Sequence, residues 1–121
     1  NRPIKVFNNG DLSRDFTYID DIVFGVLNVL LKDSKNKVLY KLYNIGNSSP
    51  VKLLDFIEAI ENYLDKKAIR NYMPMQQGDV SATWANTDLL KKLTGYAPKT
   101  DIKVGVKKFI DWYLSYYKIN K

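Results

Sequence analysis

Residues able to do chemistry gather in three kinds of stretch along this 121-residue chain. The first is GDLSRDFTYIDDIV, residues 10–23, where one arginine, four aspartates and two aromatics precede an apolar run. Arg14 follows a glycine-containing turn, and its planar fork of donors suits phosphate oxygens, with Asp15 beside it to temper or orient the charge. A surface ion pair worth about 0–1 kcal/mol is the competing account, and local chemistry alone does not choose between them. The second stretch is MQQGDV, Met75 to Val80. Here Gly78 allows backbone to approach a ligand, Gln76 both donates and accepts, and Asp79 offers an acceptor pair suited to vicinal hydroxyls. The alternative is a polar loop whose Asp79 caps the following turn. The third is Y-x-x-x-K, present as Tyr63 with Lys67 and Tyr117 with Lys121. A lysine one helical turn from a tyrosine can lower the phenol pKa for acid–base work. With nine tyrosines and sixteen lysines, about one such pair arises by chance, so both are read as structural or solvent-facing.

What is missing narrows the chemistry further. The chain has no cysteine and no histidine, which removes thiolate catalysis, disulfides, zinc–cysteine sites and the usual neutral-pH base. Its six glycines, at 10, 25, 46, 78, 95 and 105, never approach a G-x-G-x-x-G or G-x-x-G-x-x-G spacing, so a dinucleotide fingerprint is absent. Net charge is +6, but lysines supply most of the cations and alternate with acids instead of forming a basic block. A solvated surface is the simpler reading, against a nucleic-acid footprint or attraction of another anionic ligand. The longest apolar run, Ile22 to Leu31, is interrupted by Asn28 and falls short of the roughly 20 residues a bilayer span needs. With no signal peptide visible, a soluble cytoplasmic protein is expected. The chain starts at Asn1 with RPIKVF already strand-like, so a fragment of a longer protein is expected.

The elements that must position these residues are legible from periodicity. Pro3 to Phe7 reads as a strand closed by the turn signal NNGD, and Phe16 to Ile19 as a second brief strand. Asp20 is placed to cap a helix, with Ile19 and Phe24 as a hydrophobic staple. That helix buries Ile22, Val23, Val26, Leu27 and Leu30 and ends near Lys32. After the polar loop DSKNK, Leu39 to Ile45 alternates as the most buried strand, stopped by Gly46 and Pro50. Leu53, Leu54, Ile57, Ile60 and Leu64 form the stripe of a second helix to about Lys66, starting with Lys52 where a hydroxyl cap is usual. Ile69 to Met73 reads as a strand, Pro74 to Val80 as a loop, and Ala82 to Ala85 as a short extended piece. Asn86 caps a third helix ended by Gly95, and Thr100 opens a fourth with the stripe Val106, Phe109, Ile110, Tyr113 and Tyr117. Strands and helices alternate, yet the strands are too few and short for a complete doubly wound sheet. The pattern predicts one α/β domain over residues 1–121, the minor lobe of a two-lobed enzyme.

Taken in order, PIKVFNNGDLSRDFTYIDDIVFGV, YNIGNSSPVKLLDFIEAIE and PMQQGDVSATWANTDLLKKLTGYAPKTDIKVGVKKFIDWY resemble the C-terminal third of NAD-dependent nucleotide-sugar epimerases, UDP-glucuronate 4-epimerases most of all. The resemblance spans nearly the whole chain and is specific in the combination of its motifs. It implies an extended short-chain dehydrogenase fold whose N-terminal Rossmann domain holds NAD and whose small C-terminal lobe, an α+β subdomain with short strands and about four helices, closes over the UDP-sugar. The implied reaction moves hydride from sugar C4 to NAD and back to the opposite face of a 4-keto intermediate. The Rossmann core, the glycine motif and the catalytic Ser or Thr and Tyr-Lys pair would lie outside residues 1–121, so no catalytic residue and no cofactor-binding residue is expected here, and the fragment alone is expected to be inactive.

By the same resemblance, Lys5, Val6 and Phe7 border the uracil, Arg14 contacts the diphosphate or ribose region, and Asp79 accepts from the ribose hydroxyls. Gln76 stands where related UDP-galactose epimerases carry an arginine, which suits the glucuronate branch. Lys52, Asn86 and Lys103 depart from the usual hydroxyl, Asp and Glu as helix-start variation. The partners implied are a UDP-sugar and the protein's own Rossmann domain, with a homodimer of the full-length protein, no metal, no nucleic acid and no membrane, in surface polysaccharide synthesis. A UDP-sugar decarboxylase or a dTDP-sugar dehydratase shares the fold, and a free-standing basic module for nucleic acid is the alternative from another class.

Overall fold

The computed structural model describes residues 2–32 and 40–119. Its elements are β1 (Ile4–Val6), β2 (Ser13–Arg14), α1 (Ile19–Leu30), β3 (Val51–Lys52), α2 (Leu53–Leu64), β4 (Arg70–Tyr72), β5 (Ala82–Thr83), α3 (Asp88–Thr94) and α4 (Ile102–Tyr116). This is the small α/β fold the sequence predicts, with four α-helices and very short strands among the described residues. β1 pairs in parallel with β4, and β2 lies between an antiparallel β3 and a parallel β5. Connecting β1 to β2 takes a tight turn in which Asn8 and Asn9 adopt left-handed backbone angles (φ 47° and 50°) and Gly10 follows at φ 85°. Asparagine tolerates that region and glycine enters it without cost, so NNG turns the chain within three residues.

The helices are where periodicity puts them, with shifted ends. Tyr18, not Asp20, is the N-cap residue of α1, and Asp20 and Asp21 sit inside its first turn, where negative charge faces the positive helix end. Ile19 is therefore helical and cannot form the expected staple. Lys52 does precede α2 without a side-chain cap, as its identity requires. Thr87 holds the cap position of α3, although the Asn86 side chain accepts from the Asp88 N–H at 3.0 Å. Asp101 rather than Thr100 caps α4, accepting from the Lys103 N–H at 2.8 Å.

Two expectations about strands fail. Phe16 to Ile19 is not a strand: the short strand lies earlier, at Ser13–Arg14, and Phe16 stacks on Phe56 with ring centroids 4.2 Å apart. Leu39 and the loop 33–37 lie outside the described residues, and residues 40–45 form no strand, with Tyr40 and Leu42 each 80% exposed. Alternation records a preference for a pleated, half-buried surface, and residues 40–45 pair with none of the strands among the described residues.

The buried core is small: Val6, Leu12, Ile57, Leu90, Val106 and Ile110. Of the stripe expected to be buried on α1, Val23, Val26, Leu27 and Leu30 are all exposed, and the buried positions are Asp21 and Gly25. On α4, Val106 and Ile110 are buried while Phe109, Tyr113 and Tyr117 face outward. Periodicity identifies an apolar face correctly but does not say whether this chain covers it.

Two buried carboxylates tie the helices to the loops. Asp21 accepts from the Tyr96 hydroxyl at 3.0 Å and the Thr100 N–H at 2.9 Å, joining α1 to the segment before α4. Burial pushes the Asp21 carboxyl up, but hydrogen bonds from Thr100, Tyr96 and Lys99 outweigh it and leave the group below its ordinary value. Tyr96, buried against that carboxylate, is pushed up to about 12. Glu61, 4% exposed, accepts from the Ala68 N–H, Lys67 Nζ and Arg70, each at 3.0 Å. The Ala68 N–H first, then Lys67 and Arg70, hold the Glu61 carboxyl down to about 2 from an ordinary 4.5. The unfolded chain takes up that proton first, so this cluster stabilises the fold fully above about pH 4.5 and progressively less as pH falls toward 2. Urea midpoints measured between pH 5 and 3 should fall steeply for the native chain and more shallowly for Glu61→Gln; equal slopes would contradict the assignment.

Candidate functional site

Arg14 and Asp79, 65 residues apart in sequence, meet directly: Arg14 Nη2 donates to Asp79 Oδ1 at 2.5 Å. Backbone pairing brings them together. The Ser13 N–H bonds the Ser81 carbonyl at 2.8 Å, and the β2–β5 ladder sets Arg14 opposite Thr83. At the other end of the loop, the Met73 N–H bonds the Val6 carbonyl at 2.9 Å and the Asn9 N–H bonds the Met73 carbonyl at 3.0 Å. Both ends of the loop 74–80 are thus pinned to residues 6–13.

Arg14 Nη1 also donates to the carbonyls of Ser13 at 2.9 Å and Ser81 at 3.4 Å. A guanidinium has five N–H donors, so these three bonds leave two without a partner among the described residues. Asp79 Oδ1 takes a second bond from the Val80 N–H at 2.8 Å, leaving Oδ2 without one among those residues. Side-chain exposures of 26% and 29% make the pair reachable from solvent yet partly shielded. Chemically it presents charged donors beside a carboxylate acceptor, a combination able to take a phosphate oxygen and a hydroxyl together. The ion-pair and turn-capping account of these residues is what the contacts display, since Arg14 pairs with Asp79 and Asp79 bonds its own turn, while donor and acceptor capacity is left over on both.

Other expected residues are placed as follows. Lys5 is exposed on β1, Phe7 is half-buried in the turn, and Val6 is fully buried, with its carbonyl accepting from the Met73 N–H at 2.9 Å, so Val6 supports the strand from beneath and offers no accessible group. Gln76 is exposed, and its carbonyl accepts from the Asp79 N–H at 3.2 Å, closing the turn that carries Gly78 at φ 82°. The expected contact of Asp15 with Arg14 does not form. The Asp15 carboxylate instead accepts from the N–H groups of Asn47, Ser48 and Ala85. Those partners were missed because nothing local links residue 15 to 47 or 85; the one signal was GNSSP, a turn-forming stretch with amides to satisfy.

Tyr63 donates to Asp111, and Lys67 pairs with Glu61, so these two do not act as a Tyr-Lys couple. Lys121 lies outside the described residues. Among the described residues no cluster of acidic side chains could hold a metal ion, and no helix is long and apolar enough to cross a membrane.

The residues present do not fit a dinucleotide. Among the described residues every α-helix carries a carboxylate at its start, with Asp20 and Asp21 on α1, Asp55 on α2, Asp88 on α3 and the Asp101 cap on α4. A pyrophosphate seeks a helix N-terminus free of negative charge and opened by close-set glycines, and none is offered.

Comparison with known proteins is consistent with this geometry. Residues 1–46 match the model of the NAD dependent epimerase/dehydratase family. Protein CapI of Staphylococcus aureus is 49% identical over 129 residues, covering 95% of this chain and 39% of that protein. UDP-glucuronate 4-epimerase 1 of Arabidopsis thaliana is 42% identical over 132 residues, covering 98% of this chain and 31% of its own length. The chain therefore spans between a third and two fifths of the first relatives it matches. Among solved structures, the UDP-glucuronic acid 4-epimerase of Bacillus cereus in complex with UDP-glucuronic acid and NAD superposes with a TM-score of 0.83 at 29% identity, over 96% of this chain and 36% of that one. The UDP-glucose 4-epimerase of Bifidobacterium longum, at 20% identity and a TM-score of 0.85, shares the fold. The chain resembles the C-terminal part of extended short-chain dehydrogenase epimerases, and of UDP-glucuronate 4-epimerases in particular.

Proposed function

We propose that residues 1–121 form the UDP-sugar-binding lobe of an NAD-dependent nucleotide-sugar 4-epimerase that interconverts UDP-glucuronate and UDP-galacturonate for surface polysaccharide synthesis. The observation that carries the reading is the meeting of Arg14 with Asp79 on a loop whose two ends are pinned to residues 6–13. In this reading the two uncommitted Arg14 donors hold the diphosphate, Asp79 Oδ2 accepts from the ribose, and Lys5, Phe7 and Gln76 border the nucleotide. The outward apolar residues of α1 and α4 support it too, since exposed patches of this kind mark surfaces that a neighbouring domain covers. That domain would be the Rossmann half of the same protein, and a homodimer would form from the whole.

NAD, held outside residues 1–121, would supply hydride acceptance and return at sugar C4. No residue of this chain takes a step in that transfer, and the chain by itself is inactive in this proposal. Its task is to hold the nucleotide while the sugar turns over. The test is to incubate the complete enzyme carrying this chain with UDP-glucuronate and NAD. UDP-galacturonate is the expected product; a UDP-pentose would make it a decarboxylase, and absence of any turnover would sink the reading. Binding of generic DNA with a steep salt dependence, in the absence of UDP binding, would favour the nucleic-acid module instead.

A further inference from the structure

Arg14 and Asp15 are neighbours at the end of β2 with entirely different surroundings, as expected where successive side chains of an extended segment project to opposite sides. Asp15 Oδ1 accepts from the Asn47 N–H at 3.0 Å, and Oδ2 accepts from the N–H groups of Ser48 and Ala85, each at 3.0 Å. Three backbone donors, 32 to 70 residues away in sequence, converge on this one carboxylate. The surrounding contacts reinforce the junction. Thr17 Oγ1 accepts a second bond from the Asn47 N–H at 3.2 Å, and Ser48 Oγ donates to the Ala85 carbonyl at 2.9 Å while lying 2.8 Å from Thr87 Oγ1. The closeness requires glycine at 46: a Cβ there would come within 2.6 Å of Ala85 Cβ and 2.8 Å of Asp15 Oδ2.

We infer that Asp15 is a positioning residue for the nucleotide site, acting through the backbone without touching the ligand. The strip 79–85 is stitched to 13–15 at successive points: Asp79 to Arg14, the Ser81 carbonyl to the Ser13 N–H, the Ala82–Thr83 ladder, and the Ala85 N–H to Asp15. Asp15 is the far anchor of that strip, and through Asn47 and Ser48 it braces the strip against a third segment of chain. Losing it frees the strip to slide, which separates the Arg14 fork from Asp79. The inference rests on the reading of Arg14 and Asp79 as the nucleotide grip.

Asp15→Asn is the direct test, since an amide keeps one acceptor oxygen but turns an NH₂ toward backbone N–H donors. In the complete enzyme, KM for UDP-glucuronate should rise about tenfold, below the about 100-fold that an ångström of misplacement can cost. At saturating substrate kcat should stay within about twofold and the NAD dissociation constant should not move. Asp21→Asn is the control: it breaks a comparable carboxylate junction, with Tyr96 and Thr100, away from this site. It should lower the melting temperature and leave KM unchanged. Gly46→Ala, which crowds the same junction without altering the carboxylate, should reproduce the KM effect if Asp15→Asn does not fold. An unchanged KM in the folded variant, alongside a raised KM for Arg14→Ala, overturns the positioning role and leaves the UDP-sugar reading intact. An unchanged KM for Arg14→Ala overturns both.

Discussion

If residues 1–121 are the UDP-sugar lobe proposed above, replacing Arg14 with alanine should raise KM for UDP-glucuronate by about 10- to 100-fold and leave NAD affinity unaltered. The magnitude follows from the bonds at stake. A hydrogen bond to a charged group contributes about 1.5–3 kcal/mol, and each 1.4 kcal/mol is a factor of ten, so the loss of one such bond already gives about 10- to 100-fold. Arg14 offers two uncommitted donors, held in direction by its bonds to Ser13, Ser81 and Asp79, so alanine removes a preformed fork. Arg14→Lys should recover part of the loss, because the charge returns without the planar pair of donors. Steady-state kinetics of the complete enzyme, with NAD binding measured separately, decide the matter. If KM is unchanged and only the melting temperature falls slightly, Arg14 is the ion-pair partner of Asp79 and nothing more, since a part-exposed pair is worth about 1 kcal/mol or less.

Leu90→Ala should lower stability by about 2–5 kcal/mol, the range for truncating a buried leucine. Leu90 is fully buried on α3, the helix that packs against α1, in a core that comprises six apolar side chains among the described residues. A cavity there has few neighbours able to close it. For a chain of this length the loss corresponds to a fall in Tm of roughly 8–20 °C, read by circular dichroism. Leu89→Ala provides the contrast, since its side chain is half exposed and it should shift Tm by only a few degrees at most. Equal shifts for the two variants would mean that α3 is not anchored through Leu90.

Much of the candidate site was legible before any coordinates. Arg14 and Asp79 stand out by residue type next to glycine-containing turns, and the order of the motifs carried the family resemblance. Their direct pairing was not legible, because it depends on β2 and β5, strands of two residues each that leave no periodic trace. The error about Asp15 has a similar origin. Sequence adjacency suggested a contact with Arg14, whereas extended backbone sends neighbours to opposite sides, and the true partners at 47, 48 and 85 arrive through the fold. Helix ends moved by one or two residues because Tyr18 and Thr87 occupy cap positions without using side chains to cap them.

The sequence by itself determined the four helices of the described residues, the NNG turn, the absence of histidine, cysteine and a close-set glycine motif, and which charged residues stand beside glycine-containing turns. These properties depend on spacing within one or two turns of chain or on composition, and both are local. Only the tertiary structure decided which apolar stripes this chain buries, that residues 40–45 find no strand partner among the described residues, and that Arg14 meets Asp79 while Asp15 turns away. Those outcomes depend on hydrogen bonds and packing between segments tens of residues apart, where the free energy of one contact depends on all the others being made.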